Sequence, residues 1–312
     1  MENSQKPSIV FFGNEQIATG TQNNFSMLKS LVDEKYEISG VILNRSTIQS
    51  RTKKIPKIEQ LASELEIPVH FDISHDELKA ILSDQKPAIG ILVAYGKIIP
   101  RKILDMFPKG IINLHPSLLP AHRGSIPIES VILSGEQKTG VSVMKLAEKM
   151  DAGPIYKQAI IQLSGAETKQ ELADSALKLG SQLILDVLPK ILDDKINPTE
   201  QNQADISYDK PLEKSDGIID WSKSAEILER EIRAYAGWPR SRSQIGKIDL
   251  TISQAAVVDI TGKIGDSKIQ YGRLIVHCGS KSLSLIRLQP NGKKDMSIDE
   301  FLRGYSSKLN LS

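Results

Sequence analysis

The sequence predicts an α/β protein: a Rossmann-like, mostly parallel sheet followed by a small all-β barrel. Near-continuous apolar runs at 8–12, 38–43 and 88–95 alternate with segments of helical periodicity, as in a parallel sheet covered on both faces. Beyond Pro239 the rhythm changes to short β-rich pieces separated by Gly-containing turns, the pattern of a small barrel. A length of 312 residues exceeds one average domain, so two are expected.

Composition narrows the class. Hydrophobic residues make up 40% and charged residues 25%, ordinary values for a globular protein. The single cysteine, Cys278, excludes an internal disulfide and a cysteine-rich zinc site, and suits a reducing compartment. His70, His75, His115, His122 and His277 show no metal-ligand spacing, so no metal is expected. No apolar run approaches the ~20 residues of a membrane span. Residues 1–7 lack the Arg and the apolar core of a targeting peptide. The expectation is a cytoplasmic monomer without membrane contact.

The apolar run at 8–12 ends in Gly13, a buried strand and its turn. Neither Gly-x-Gly-x-x-Gly nor Gly-Lys-Ser/Thr follows, which argues against a dinucleotide site. Phe25, Leu28 and Leu31 mark a helix, and residues 38–43 a second strand. Residues 45–57 carry Arg45, Arg51, Lys53, Lys54 and Lys57 with no acid among them. That run suits a solvated loop or a contact with a phosphate backbone. Ile58, Leu61, Ala62 and Leu65 repeat at helical spacing; residues 67–71 are a third strand, and Leu78, Ile81 and Leu82 mark a third helix. Residues 88–95 form a strongly apolar strand ending in Gly96.

The run from Gly110 through Ile112 and Leu114 enters the stretch Asn113-Leu114-His115-Pro116-Ser117-Leu118-Leu119-Pro120. Asn113 and His115 sit at i and i+2, so on a strand they project to one face. At a strand's carboxyl end that face meets ligand. A carboxamide can donate to a developing oxyanion, and an imidazole can exchange protons near neutral pH. Singly, such residues also serve as a turn-forming Asn and a surface His.

Residues 127–133 read as a helix and 139–146 as a strand. Asp151-Ala152-Gly153-Pro154 follows. Taken alone it is a turn; beside the Asn113–His115 pair, Asp151 becomes a candidate third member, since a carboxylate aimed at an imidazole fixes its tautomer. Thr168 and Glu171 open a long helix. Residues 195–208 are polar and patternless, a linker between a domain at 1–194 and another at 209–312. Leu228, Ile232 and Tyr235 mark a further helix, and Trp238 is expected as a core anchor between domains. Strands are expected at 250–252, 255–260, 268–271, 274–278 and 282–288. From Arg240 onward 12 Lys/Arg face 6 Asp/Glu, a local net of +6 within a chain of net +2, which suits a polyanionic partner.

Asn-x-His-Pro-Ser-Leu-Leu-Pro-x-x-Arg-Gly, as it stands at 113–124, resembles the signature of the 10-formyltetrahydrofolate-dependent formyltransferases. The branch acting on methionyl-tRNA is the nearest likeness. Asp-Ala-Gly at 151–153, Gly-Lys-Lys-x-Met at 292–296 and Glu-Phe-x-x-Gly at 300–304 extend it over nearly the whole chain. The resemblance implies the formyltransferase fold with a C-terminal OB-like, tRNA-binding barrel. It implies formyl transfer from 10-formyltetrahydrofolate to the α-amino group of initiator methionyl-tRNA, for translation initiation, with no metal. By the same resemblance Asn113, His115 and Asp151 are catalytic, and Ser117, Leu118, Leu119 and Pro120 line the folate site. Ala94-Tyr95-Gly96 borders that site through backbone, and the basic 45–57 segment meets the tRNA acceptor arm. One departure stands out: the family commonly reads Gly-Thr-Pro where this chain has Gly13-Asn14-Glu15.

Three other readings remain. A formyltransferase acting on an amino sugar nucleotide can also carry a barrel. One acting on glycinamide ribonucleotide should lack it. A non-catalytic nucleic-acid-binding protein is disfavoured by the intact Asn113, His115 and Asp151 set. The basic excess favours tRNA.

Overall fold

Short apolar strands build the first sheet of the computed structural model, which describes residues 7–44 and 57–309. Strands β1 (Ile9–Phe12), β2 (Ile38–Leu43), β3 (Val69–Phe71), β4 (Ile89–Leu92) and β5 (Ile111–His115) run parallel. Strands β6 (Lys138–Lys145) and β7 (Ile155–Gln162) add to the β5 edge in antiparallel sense. The order is β3-β2-β1-β4-β5-β6-β7. Every residue of β1, β4 and β5 is buried, which explains the lack of polar residues in β1 and β4, while β5 carries polar Asn113 and His115.

The strand order reverses between β1 and β4, the place where open α/β sheets leave a ligand crevice beyond the strand ends. Two backbone features shape it. At Gly13 φ is +106° and an added Cβ would lie 1.9 Å from the Val93 carbonyl oxygen, so only glycine lets the β1 turn approach the end of β4. The expected strand 88–95 stops at Leu92, because Ala94 (φ +54°) and Gly96 (φ +71°) turn the chain out of the sheet. Phe12 holds the ring of Tyr95 edge-on, centroids 5.5 Å apart.

The helices that follow in chain order are α1 (Met27–Asp33), α2 (Lys57–Glu64), α3 (His75–Gln85), α4 (Arg101–Leu104), α5 (Pro127–Ser134) and α6 (Lys169–Leu192). Helix α3 starts at a reciprocal capping box of Ser74 and Glu77 and buries Leu78 and Leu82. Strand β7 escapes the sequence reading because it lies at the sheet edge, half exposed, with polar Lys157 and Gln158 breaking its apolar pattern.

Two compact units divide the chain. The first comprises 1–128, 137–163 and 170–210; the second gathers 129–136, 164–169 and 211–312. Residues 195–210 thus go with the first unit, tied by the mutual Thr199–Ile155 hydrogen bonds and by the Arg123–Tyr208 bridge.

The second unit is an antiparallel β domain. Its order is β10 (Ser267–Gln270), β11 (Arg273–His277), β12 (Ser282–Pro290), β9 (Ile248–Val258), β8 (Ser241–Ile245), with β13 (Met296–Ser297) pairing β12. Helices α7 (Ala225–Ala234) and α8 (Ile298–Tyr305) complete it. The two strands expected at 250–252 and 255–260 are one, β9, which continues through polar Ser253 and Gln254 because β12 pairs with it along most of its length, bulges included. Trp238 is 38% exposed, so it is not the core anchor expected. Leu228, Ile232, Leu250, Leu274, Leu285 and Phe301 form the core instead. Lys169 and Glu129 are an almost fully buried ion pair, 3.4 Å apart, and the ammonium also donates to the Trp238 carbonyl. Desolvation pushes the Lys169 pKa down.

Candidate active site

A cavity of about 750 Å³ opens at the carboxyl ends of β1, β4 and β5. Asn14, Gln16 and Ile17 from the β1 turn, 92–99 from the β4 end and 146–151 from the loop after β6 form its walls. Asn113, His115 and Asp151 all line it.

Strand β5 places the first two. Leu92 pairs with Asn113 on the parallel side, while Met144 faces Asn113 and Ser142 faces His115 on the antiparallel side. Alternation then sends both side chains to the cavity. Asn113 is 6% exposed, and among the described residues its carboxamide has no hydrogen-bond partner. A buried amide left free is costly unless ligand or water meets it.

The His115 ring is held at one edge and faces Asp151 at the other. Nε2 lies 2.8 Å from the His122 carbonyl oxygen. A carbonyl only accepts, so Nε2 carries a proton and donates. Nδ1 is then the edge that exchanges a proton, and it stands 3.6 Å from Asp151 Oδ1. Asp151 Oδ2 accepts the Gly124 N–H at 2.8 Å. Asp151 has φ +49°, a left-handed conformation that a short polar side chain tolerates. At Gly153 an added Cβ would sit 1.8 Å from the Lys145 carbonyl oxygen. The turn after Asp151 therefore needs glycine to fold back on β6.

Ser117, Leu118, Leu119 and Pro120 do not line the cavity. Ser117 is fully buried and donates to the Ala121 carbonyl. Ser142 Oγ donates to the Ser117 carbonyl and accepts the Leu119 N–H. Gln158 donates to the Leu119 carbonyl and to Ser142 Oγ. Leu118 packs over Gly140. The segment braces the loop behind His115, while the cavity surface belongs to Leu92, Ala94, Tyr95, Gly96 and Ile99 on one side and Leu146 on the other.

Desolvation, and then the Asp72 charge, push the Tyr95 hydroxyl pKa up. Ile98 (72% exposed) and Met150 (57%) stand at the rim. Under the first turn, Glu15 is buried and accepts from the Leu28 N–H at 2.8 Å and the Ser26 hydroxyl at 3.2 Å. Burial pushes its carboxyl up to about 7. Sequence reasoning missed the His122 carbonyl and the Gly124 N–H, because backbone groups carry no residue signature. Of the basic segment, Arg45, Arg51, Lys53 and Lys54 lie outside the described residues, and Lys57 donates to the Asn23 carbonyl at 2.6 Å. Among the described residues no group of His, Cys, Asp and Glu is placed to hold a metal, and no helix is long and apolar enough to cross a membrane.

Residues 15–188 match the Formyl transferase family and residues 211–306 the Formyl transferase C-terminal domain. The chain is 34% identical over 306 residues to a methionyl-tRNA formyltransferase of Chloroflexus aurantiacus, covering 95% of this chain and 96% of the relative. It is 35% identical over 291 residues to the one of Pseudoalteromonas translucida, covering 89% and 90%. Its fold resembles the N-formyltransferase of Helicobacter canadensis, crystallised with folinic acid and dTDP-3-aminofucose, with a TM-score of 0.66 and 18% identity over 89% of this chain and 98% of that one. The chain belongs to the formyl transferase family, and within it to the methionyl-tRNA formyltransferases.

Proposed function

We propose that this cavity transfers the formyl group of 10-formyltetrahydrofolate to the α-amino group of initiator methionyl-tRNA, with Asn113, His115 and Asp151 as its catalytic residues. The observation that carries the reading is the convergence of a free carboxamide, an edge-fixed imidazole and a carboxylate on one cavity.

The folate supplies the activated formyl group. A flat pteridine suits a slot with apolar walls and backbone partners; Leu92 and Ile99 of the 92–99 wall and Leu146 opposite give the apolar walls, and the 94–96 backbone lies beside them. Ser117 to Pro120 would act from behind, by keeping the His115 loop in place.

The attacking amine must be neutral. As it adds to the formyl carbon, charge grows on the formyl oxygen. The Asn113 carboxamide donates a hydrogen bond there, an interaction of the kind whose loss costs about 2.7–4 kcal/mol of barrier. The amine sheds a proton toward the Asp151–His115 edge. Because Nε2 is committed to the His122 carbonyl, Nδ1 is the ring nitrogen that can take that proton. As the oxyanion collapses to the new amide, the bond between the formyl carbon and the folate nitrogen breaks, and the proton is returned to that departing nitrogen.

The test is to charge tRNA with labelled methionine and follow formylation with the folate donor. Formylmethionyl-tRNA is the expected product. Formylation of an amino sugar nucleotide, with methionyl-tRNA untouched, would establish the rival reading.

A further inference from the structure

Asp151 sits on a turn in the left-handed backbone region, which a short polar side chain tolerates, and buried hydrogen bonds hold that turn in place. The nearest sequence neighbours do little: Ala152 N–H bonds to the Lys149 carbonyl at 3.2 Å. The stronger ties come from fifty residues further on. Gln201 is 5% exposed, and its side-chain nitrogen donates to the carbonyls of Asp151 (2.8 Å) and Gly153 (2.7 Å). Its Oε1 accepts twice from the Arg123 guanidinium, at 2.7 and 3.2 Å. Arg123 is 3% exposed, donates to the Tyr208 hydroxyl at 3.0 Å and lies 5.6 Å from that ring's centroid. Every polar atom of the Gln201 carboxamide is therefore used.

The chain closes a loop around the site. Arg123 lies between His122, whose carbonyl accepts the hydrogen bond from His115 Nε2–H, and Gly124, whose N–H donates to the Asp151 carboxylate. The guanidinium of the same residue orients Gln201, which pins the backbone on either side of Ala152. Both partners of the His115–Asp151 edge are thus referenced to one buried side-chain pair. A displacement of about 1 Å at such an edge can cost around 100-fold in rate.

We propose that Gln201 is a positioning residue for formyl transfer: bridging Arg123 to the Asp151 turn, it sets the distance between the Asp151 carboxylate and His115. This rests on the catalytic reading of Asp151 made above, and the test separates the two.

The experiment is a double-mutant cycle between Gln201→Glu and Asp151→Asn, with Gln201→Met as a second probe. The Glu variant keeps an acceptor for Arg123 but loses the donors to the two carbonyls. The Met variant removes both functions without adding charge. Folate binding by calorimetry and thermal melting report on the fold. In the parent enzyme, Gln201→Glu is expected to lower kcat at least ~30-fold with KM for methionyl-tRNA and folate within twofold. In the Asp151→Asn background the same change should alter single-turnover rate by less than twofold, since nothing is left to position. Equal losses in both backgrounds would reduce Gln201 to a structural role. Undiminished turnover of both Gln201 variants, with Asp151→Asn inactive, would overturn the positioning role and leave the catalytic one standing. Full activity of Asp151→Asn would remove the catalytic reading and this inference with it.

Discussion

His115 and Asp151 meet through one pair of atoms, ring Nδ1 and carboxylate Oδ1, 3.6 Å apart. The other edge of each group is already committed: Nε2 to the His122 carbonyl and Oδ2 to the Gly124 N–H. Two backbone groups from one short loop thus leave the imidazole and the carboxylate only each other and the cavity to address.

From that arrangement, His115→Ala and Asp151→Asn should keep the fold and lose at least ~100-fold in turnover, the scale of general acid–base catalysis. Steady-state formylation kinetics on purified, folded variants check this. Turnover near the parent value removes the residue concerned from the mechanism.

The free Asn113 carboxamide predicts a different signature. Asn113→Ala should lower kcat by roughly 100- to 1,000-fold with little change in KM, as expected for a donor engaged mainly in the transition state. A rise in KM at unchanged kcat would instead make Asn113 a ground-state binding residue.

The closeness of the β1 turn to β4 predicts that Gly13→Ala is destabilising. Its φ of +106° and the 1.9 Å approach to the Val93 carbonyl leave no room for a methyl group. Strain of this kind costs about 1–3 kcal/mol, or several degrees of Tm at roughly 2–4 °C per kcal/mol. Folate affinity should fall too, because the displaced backbone is the cavity wall. Unchanged melting and binding would mean the turn has other room to move.

Glu15 predicts a pH effect of definite sign. Its folded pKa, about 7, lies above the ordinary 4.5. Between those values the folded state keeps a proton that the unfolded state has lost, so the contribution of this group to stability falls as pH rises from 4.5 to 7. The span corresponds to about 3 kcal/mol, at roughly 1.4 kcal/mol per unit. Glu15→Gln should flatten that part of the Tm–pH curve and melt higher than the parent at pH 8. Parallel curves for the two proteins would show that the carboxyl is solvated.

The basic segment predicts salt dependence. Neutralising Arg51, Lys53 and Lys54 together should raise KM for methionyl-tRNA and leave folate binding alone. The dependence of log KM on log salt should become shallower, by about 0.7–0.9 for each phosphate that is no longer neutralised. An unchanged KM across the salt series would make the segment a solvated insertion.

The parallel strands were legible because β1, β2 and β4 are buried on both faces and so nearly pure in apolar residues. Helices such as α3 announced themselves by spacing. The edge strand β7 did not, since one exposed side frees half its positions to be polar. For the Ser117–Pro120 segment the residue types do not tell its tertiary partners: the Ser117 carbonyl and the Leu119 backbone bond to Ser142 and Gln158.

By itself the sequence determined that Asn113 and His115 share a face, because strand alternation is a local property of period two, and it offered them with Asp151 as candidates for the chemistry. Tertiary structure decided the rest. The antiparallel pairing of β5 with β6 brings a turn 36 residues beyond His115 back to its ring. The loop at 122–124 then supplies a carbonyl and an N–H that carry no side-chain identity, and Gln201 arrives from a patternless segment. Those contacts depend on chain closure over long separations, which no local pattern of residues encodes.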